Sequence, residues 1–228
     1  MVARSAPAGR SARFILALAA VVGCGGKTIH LGDGCTPGQV NANQVLWIGD
    51  GWITVPGDQH TRVRDLAQAA HVISAADDYV IAATAPATMA MIASQYSAEE
   101  ASAAVKVIVM DGGTFDTLSA NGSDASVASV VDTFTQLLST VASDGTVEDI
   151  IYFLCPELPM IKGVAALRPP LQQACRESAV PCHFIDLQPL WAGHPEYTAD
   201  NEILPSGSGA TVIADAIWGV MQDNCIAQ

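Results

Sequence analysis

The chain is poor in charge, and poorest in positive charge. Only 14% of its 228 residues are charged, ten Lys and Arg against 23 Asp and Glu, for a formal net charge of −13 at pH 7. Three of the ten bases, Arg4, Arg10 and Arg13, lie in the first 23 residues, which hold no acid, so the remainder is more negative still. Such a body repels phosphate backbones and anionic surfaces, which argues against nucleic acid as a partner. The chain also lacks a Cys-x-x-Cys pair and any nearby His cluster, so the usual zinc patterns are missing. Gly49, Gly112 and Gly113 fit neither a Walker loop nor a dinucleotide fingerprint, and no lysine follows them. No metal and no cofactor is therefore expected. There is no repeat at solenoid spacing. After residue 23 no apolar run is long enough to span a bilayer.

What is present begins at the N-terminus. The three arginines precede the apolar segment Phe14 to Val22, which ends in Val21-Val22-Gly23-Cys24. This is the layout of a secretory signal over residues 1–23. Its end resembles the bacterial lipoprotein cleavage box, which would make Cys24 the lipidated first residue of an exported envelope protein. An ordinary signal cut near Gly23 is the alternative. Residues 24–43 are rich in Gly, Thr and Asn without periodicity and read as a tether. Export implies an oxidising compartment, so the remaining cysteines can pair. Cys175 and Cys182 flank a helix-to-strand loop. Cys35 and Cys225 sit near the two ends of the mature chain and could tie them together. Cys155 ends an apolar run and is left as an odd, buried thiol.

From residue 44 a rhythm sets in. Apolar runs of strand length occur at 45–49, 79–83, 106–110, 149–154 and 182–187. Helical patterns lie between and after them, at 60–71, 86–104, 124–142, 162–178 and 206–222, with Pro169-Pro170 expected to start or kink the fourth. Near-continuous apolar strands alternating with helices predict an α/β protein. Its expected form is a three-layer α/β/α sandwich around a five-stranded parallel sheet. In such a sheet the ligand crevice lies at the carboxyl ends of the strands. Those ends carry Gly49-Asp50-Gly51, Ala83-Thr84, Asp111 to Asp116 and Cys155-Pro156-Glu157, and the loop from Asp200 to Gly209 should join them.

The order and spacing of these blocks over residues 44–228 resemble the SGNH, or GDSL, hydrolase family of esterases and lipases. Gly49-Asp50-Gly51 stands where that family has Gly-Asp-Ser. Gly113-Thr114-Phe115-Asp116 stands for its Gly-x-Asn-Asp turn. Asn201 to Pro205 stands for its Asp-x-x-His-Pro block. The family's second block, a glycine after the second strand, has no clear match, and Ala83 or Thr84 is nearest. The resemblance implies a flavodoxin-like fold and a serine ester hydrolase site. That chemistry needs a serine nucleophile, a histidine base oriented by an aspartate, and an asparagine donor to the oxyanion. This chain has Gly51 for the serine, Leu204 for the histidine, Asn201 for the aspartate and Phe115 for the asparagine. Four departures together describe a repurposed site rather than a single lost side chain.

The expected pocket comprises Asp50, Gly51, Trp52, Gly113, Thr114, Phe115 and Asp116. Asp50 and Asp116 read as turn residues whose carboxylates hold backbone amides. Trp52 and Phe115 would line the mouth, where aromatic rings could stack on a sugar or an acyl chain. Relocated catalysis would need a hydroxyl such as Ser206, Ser208 or Thr114 with His194 or His60 as base. Ser206 reads more simply as a helix cap, and His60 as an exposed helix-start residue. His30, His71 and His183 read as structural or solvated. The leading expectation is a domain without triad catalysis that binds a carbohydrate or acyl ligand at the cell envelope. An active acetyl or acyl ester hydrolase with relocated groups is the alternative, and a structural lipoprotein without ligand the third.

Overall fold

The computed structural model describes residue 35, residues 40–57 and residues 59–227. The proposed signal segment 1–23, Cys24 and His30 lie outside the described residues.

Three apolar runs form the middle of the sheet. β1 (Val45–Ile48) and β3 (Val107–Met110) are buried at every position, and β4 (Asp149–Leu154) at every position after Asp149. Such strands have no polar face to show to water, so helices must cover both sides. β2 (Val80–Ile81) is a two-residue edge strand, one residue half-buried and the other exposed, and β5 (Cys182–Asp186) closes the other edge. All pairs are parallel, in the order β2-β1-β3-β4-β5. This is the flavodoxin-like order, whose direction reverses between β1 and β3. The expected five-stranded parallel sheet is thus present, with its second strand reduced to two residues.

The helices follow from cap and face. α2 (Gln59–Ala69) follows β1, and α3 (Met89–Ala103) begins at Thr88, whose side chain accepts from the Met91 N–H. α5 (Asp124–Asp144) is capped by Ser123 and ends at Gly145 in the left-handed region. It buries Val130, Phe134, Leu137, Leu138 and Val141, and each such large apolar side chain contributes about 1.5–3 kcal/mol. α6 (Val164–Glu177) runs through Pro169-Pro170 instead of starting there. The prolines remove the partners of the Ala165 and Ala166 carbonyls, and both residues are exposed, so water can satisfy them. α8 (Gly207–Asp223) is capped by Ser206. α8 packs on α2, while α5 packs on α3 and α6. Right-handed crossovers place these two groups on opposite faces of the sheet. Three further helices, α1 (Gly51–Thr54), α4 (Thr114–Ser119) and α7 (Gln188–Trp191), are too short to have left a periodic signal.

The last residues of the segment expected to be a tether, 24–43, belong to the folded body. Val40 and Ala42 are buried in the core, and residues 42–44 form a 3-10 turn whose Gln44 carbonyl accepts the Lys106 N–H. Cys35 is bonded to Cys225, and Cys175 to Cys182, while Cys155 is a free, buried thiol. This is the pairing the sequence suggested. The first bridge closes 190 residues and the second seven, which on chain entropy corresponds to roughly 5 and 2 kcal/mol. Among the described residues no helix is long and apolar enough to cross a membrane.

Candidate functional site

The site is built where β1 and β3 end side by side. Gly49 has φ +150°, and a Cβ there would stand 1.8 Å from Asp111 Oδ1. Only glycine leaves room for that carboxyl group. Asp111 Oδ1 accepts the Asp50 N–H at 2.6 Å, while Oδ2 has no hydrogen-bond partner among the described residues. Complete burial and the neighbouring Asp50 push Asp111 up to about 8, so near neutral pH it is a protonated acid. Asp50 Oδ1 accepts the Ala87 N–H at 2.8 Å, and Asp116 Oδ2 accepts the Met89 N–H at 2.9 Å. Burial raises both carboxyls against these backbone donors. Gln95 completes the frame. Its Oε1 accepts the Gly49 N–H at 2.7 Å, and its Nε2 donates to the Gly49 carbonyl and to Thr84 Oγ1, both at 3.0 Å. Polar side chains thus fix the β1 turn to the β3 turn and to α3.

Above this frame lies a cavity of about 260 Å³, lined by Asp50, Gly51, Trp52, Ala85, Pro86, Thr114, Phe115, Leu118, Ile203 and Leu204. It sits at the switch point between β1 and β3, where open α/β sheets place ligands. Leu204 reaches over Gly51, its Cδ2 only 2.8 Å from where a Cβ on residue 51 would stand. Leu204 and Gly51, which the resemblance set at the base and nucleophile positions, thus lie against each other as a leucine resting on a glycine. Phe115 is half-buried in the cavity wall. Trp52 departs from expectation. It is fully buried and packs against Trp191 at 5.5 Å, so it backs the wall instead of offering an open face. Thr114 is buried too, its hydroxyl 3.0 Å from Cys155 Sγ. Burial pushes that thiol up to about 12, which keeps it un-ionised and poorly nucleophilic.

Other expected residues lie outside the cavity lining. Gly113, at φ +86°, turns the chain into α4 with Val130 and Leu167 close by. Asp116 serves α3 through Met89. Asn201 Oδ1 accepts the N–H groups of Ile203 and Leu204 at 3.0 and 2.9 Å. Its side chain is thus committed to the turn that presents Leu204.

Ser206 and His194, two of the relocated candidates, are committed to other partners. Ser206 Oγ accepts the Gly209 N–H at 3.1 Å and donates to the Glu196 carbonyl at 2.6 Å, as a helix cap does. His194 pairs with the Glu196 carboxylate at 2.8 Å and stacks on Tyr197. It lines a separate crevice with Glu157, Trp191 and Asp200. His60, expected to be exposed, is half-buried with its ring edge-on to Trp47. Ser208 is exposed on the first turn of α8. Two residues that matter here were not singled out by sequence, Asp111 and Gln95. An acid directly ending the apolar β3 was the available signal for the first. Gln95 gave none, since nothing local marks a helical glutamine as a partner of a strand end. Among the described residues no group of three or more His, Cys, Asp or Glu could hold a metal ion.

No family model and no curated protein matches the chain. Solved structures do. An acetyl xylan esterase, AlAXEase, superposes with a TM-score of 0.64 at 12% identity, covering 77% of this chain and 98% of that one. The lipase/acylhydrolase from Enterococcus faecalis gives 0.63 at 14%, covering 78% and 94%. A GDSL-like lipase from Bacteroides thetaiotaomicron gives 0.59 at 14%, covering 79% and 88%. The chain has the fold of the SGNH, or GDSL, hydrolases. At these identities the likeness is one of fold, and what the site does must be argued from its own residues.

Proposed function

We propose that this protein binds a neutral acyl ligand in the cavity over Gly51 and does not hydrolyse esters by the serine-histidine-aspartate route. The observation that carries this reading is Leu204. It occupies the space a serine side chain at residue 51 would need, and it cannot take a proton. With Ile203, Leu118, Phe115 and Pro86 it makes a wall suited to a hydrocarbon chain. A sugar would want several polar partners, and the wall supplies few. Within the same proposal the protein is exported and anchored by lipid on Cys24, as the segment before that residue suggests. An ester hydrolase with relocated groups would need Ser206 to leave its cap, and no geometry favours it.

The test pairs binding with turnover, using p-nitrophenyl butyrate as the acyl probe and cellobiose as the carbohydrate probe. The butyrate ester should raise the melting temperature without releasing nitrophenol. At a hundred times its dissociation constant the shift should be about 5–10 °C for a domain of this size. Nitrophenol release at rates typical of esterases would overturn the non-catalytic reading. Stabilisation by cellobiose but not by the ester would overturn the acyl reading.

A further inference from the structure

The chain joins its folded body at the end opposite the cavity, and it does so twice. β1 starts at Val45 and runs toward Asp50 and Gly51, which line the cavity. The residues just before it, Val40, Asn41 and Ala42, lie beside Gln68, Ser74 and Asp77 at the foot of the sheet. The second attachment is the Cys35–Cys225 bridge. α8 begins next to the cavity, because Leu204 lines it and Ser206 caps the helix. Its 17 residues rise ~25 Å. Cys225 follows two residues after the helix ends, so the bridge also lies at the foot, about one helix length from the cavity.

We infer that the protein stands on its membrane foot down, with the cavity opening away from the bilayer that anchors it. Its ligand then arrives from the aqueous space beyond and not from the anchor's own lipids. This rests on the lipid anchor at Cys24 proposed above. Cys35 is eleven residues past Cys24, a span of at most ~37 Å when fully stretched. Without the bridge the next described residue is Val40, buried in the core and sixteen residues on, with a reach of ~54 Å. To lay the cavity on the bilayer, the shorter span would have to run most of its full length along the ~25 Å height of the body. The bridge thus shortens the leash at the end that favours the upright posture. Electrostatics offers no counter-pull, since a body of this net negative charge is not drawn onto an anionic surface.

The experiment is energy transfer from a fluorophore on the lipidated full chain to an acceptor lipid in phosphatidylcholine–phosphatidylglycerol vesicles. Ala76→Cys places the dye at the foot, and Ser119→Cys places it beside the cavity rim. Both positions are exposed, and the one native free thiol among the described residues is buried. Transfer from position 76 should exceed that from position 119 by at least about twofold, given a body ~25 Å tall along α8. Reducing the bridges should narrow the difference. Equal transfer, or stronger transfer from position 119, overturns the inference. A purified chain whose mass carries no lipid on Cys24 also overturns it, while the cavity reading stands, because that reading is tested by ester binding in solution.

Discussion

The floor of the site and its roof are opposite in chemistry. The floor is polar and closely bonded: Asp50, Asp111, Asp116 and Gln95 hold the backbone of three elements together. The roof, where a hydrolase of this fold would react, is Gly51, Phe115, Ile203 and Leu204. The buried acids therefore serve the frame. They keep the strand ends in the shape that makes a cavity, whatever stands above them. Such a frame does not depend on what the cavity holds, because its side chains are held by backbone amides.

If the floor is a frame, damage to it should cost stability and leave the roof's behaviour alone. Asp111 gives the largest effect. Its folded pKa, about 8, lies above the usual carboxylate value, so the folded state binds a proton that the unfolded state releases. Stability should be highest in acid and fall as pH rises from ~4 to ~8, by a few kcal/mol and at most on the order of 5. Asp50 and Asp116 are raised in the same direction and add to the slope at its acid end. Urea unfolding from pH 4 to pH 9 measures this. Asp111→Asn, which keeps the acceptor, should flatten most of the profile; an unchanged slope would place the titration elsewhere.

Next in size is Gln95→Ala. It removes three hydrogen bonds around Gly49 and Thr84 and should cost about 1–3 kcal/mol, with a matching fall in the urea midpoint. The smallest effect belongs to the roof. Gly51→Ala puts a methyl group against the flexible end of Leu204 and should cost about 1 kcal/mol at most, as mild overpacking does. Its clearer signature is weaker binding of p-nitrophenyl butyrate, because the displaced leucine intrudes on the cavity. A Gly51→Ala loss larger than that of Gln95→Ala would reverse the contrast between roof and floor.

The fold was largely legible because its signals are local. Apolar runs such as 107–110 and the broad face of 124–144 declare strand and helix without knowledge of any partner. That Gly51, Phe115 and Leu204 line one cavity was foreshadowed for the same reason, since order along the chain maps onto strand ends. What stayed hidden depends on contacts across the chain. Asp111 could be seen to end a strand, but its partner is the amide of a residue 61 positions earlier. Trp52 looked like a mouth residue until Trp191 closed over it. His60 looked solvated until its ring met Trp47. Val40 and Ala42, set among Gln and Asn, gave no period by which to separate packed chain from tether. The strand end Ala83-Thr84, expected at the crevice, lies outside the cavity lining, which takes the next two residues, Ala85 and Pro86.

Fluorophosphonate labelling of the wild-type chain, of Gly51→Ser, and of the triple variant Gly51→Ser, Asn201→Asp, Leu204→His tests the central claim most directly. The wild type has no serine at the site, and the single variant gains one without a base, so both should stay essentially unlabelled. The triple variant should label clearly faster than the single one. Labelling of the wild type, or of the single variant as fast as the triple, would contradict the account.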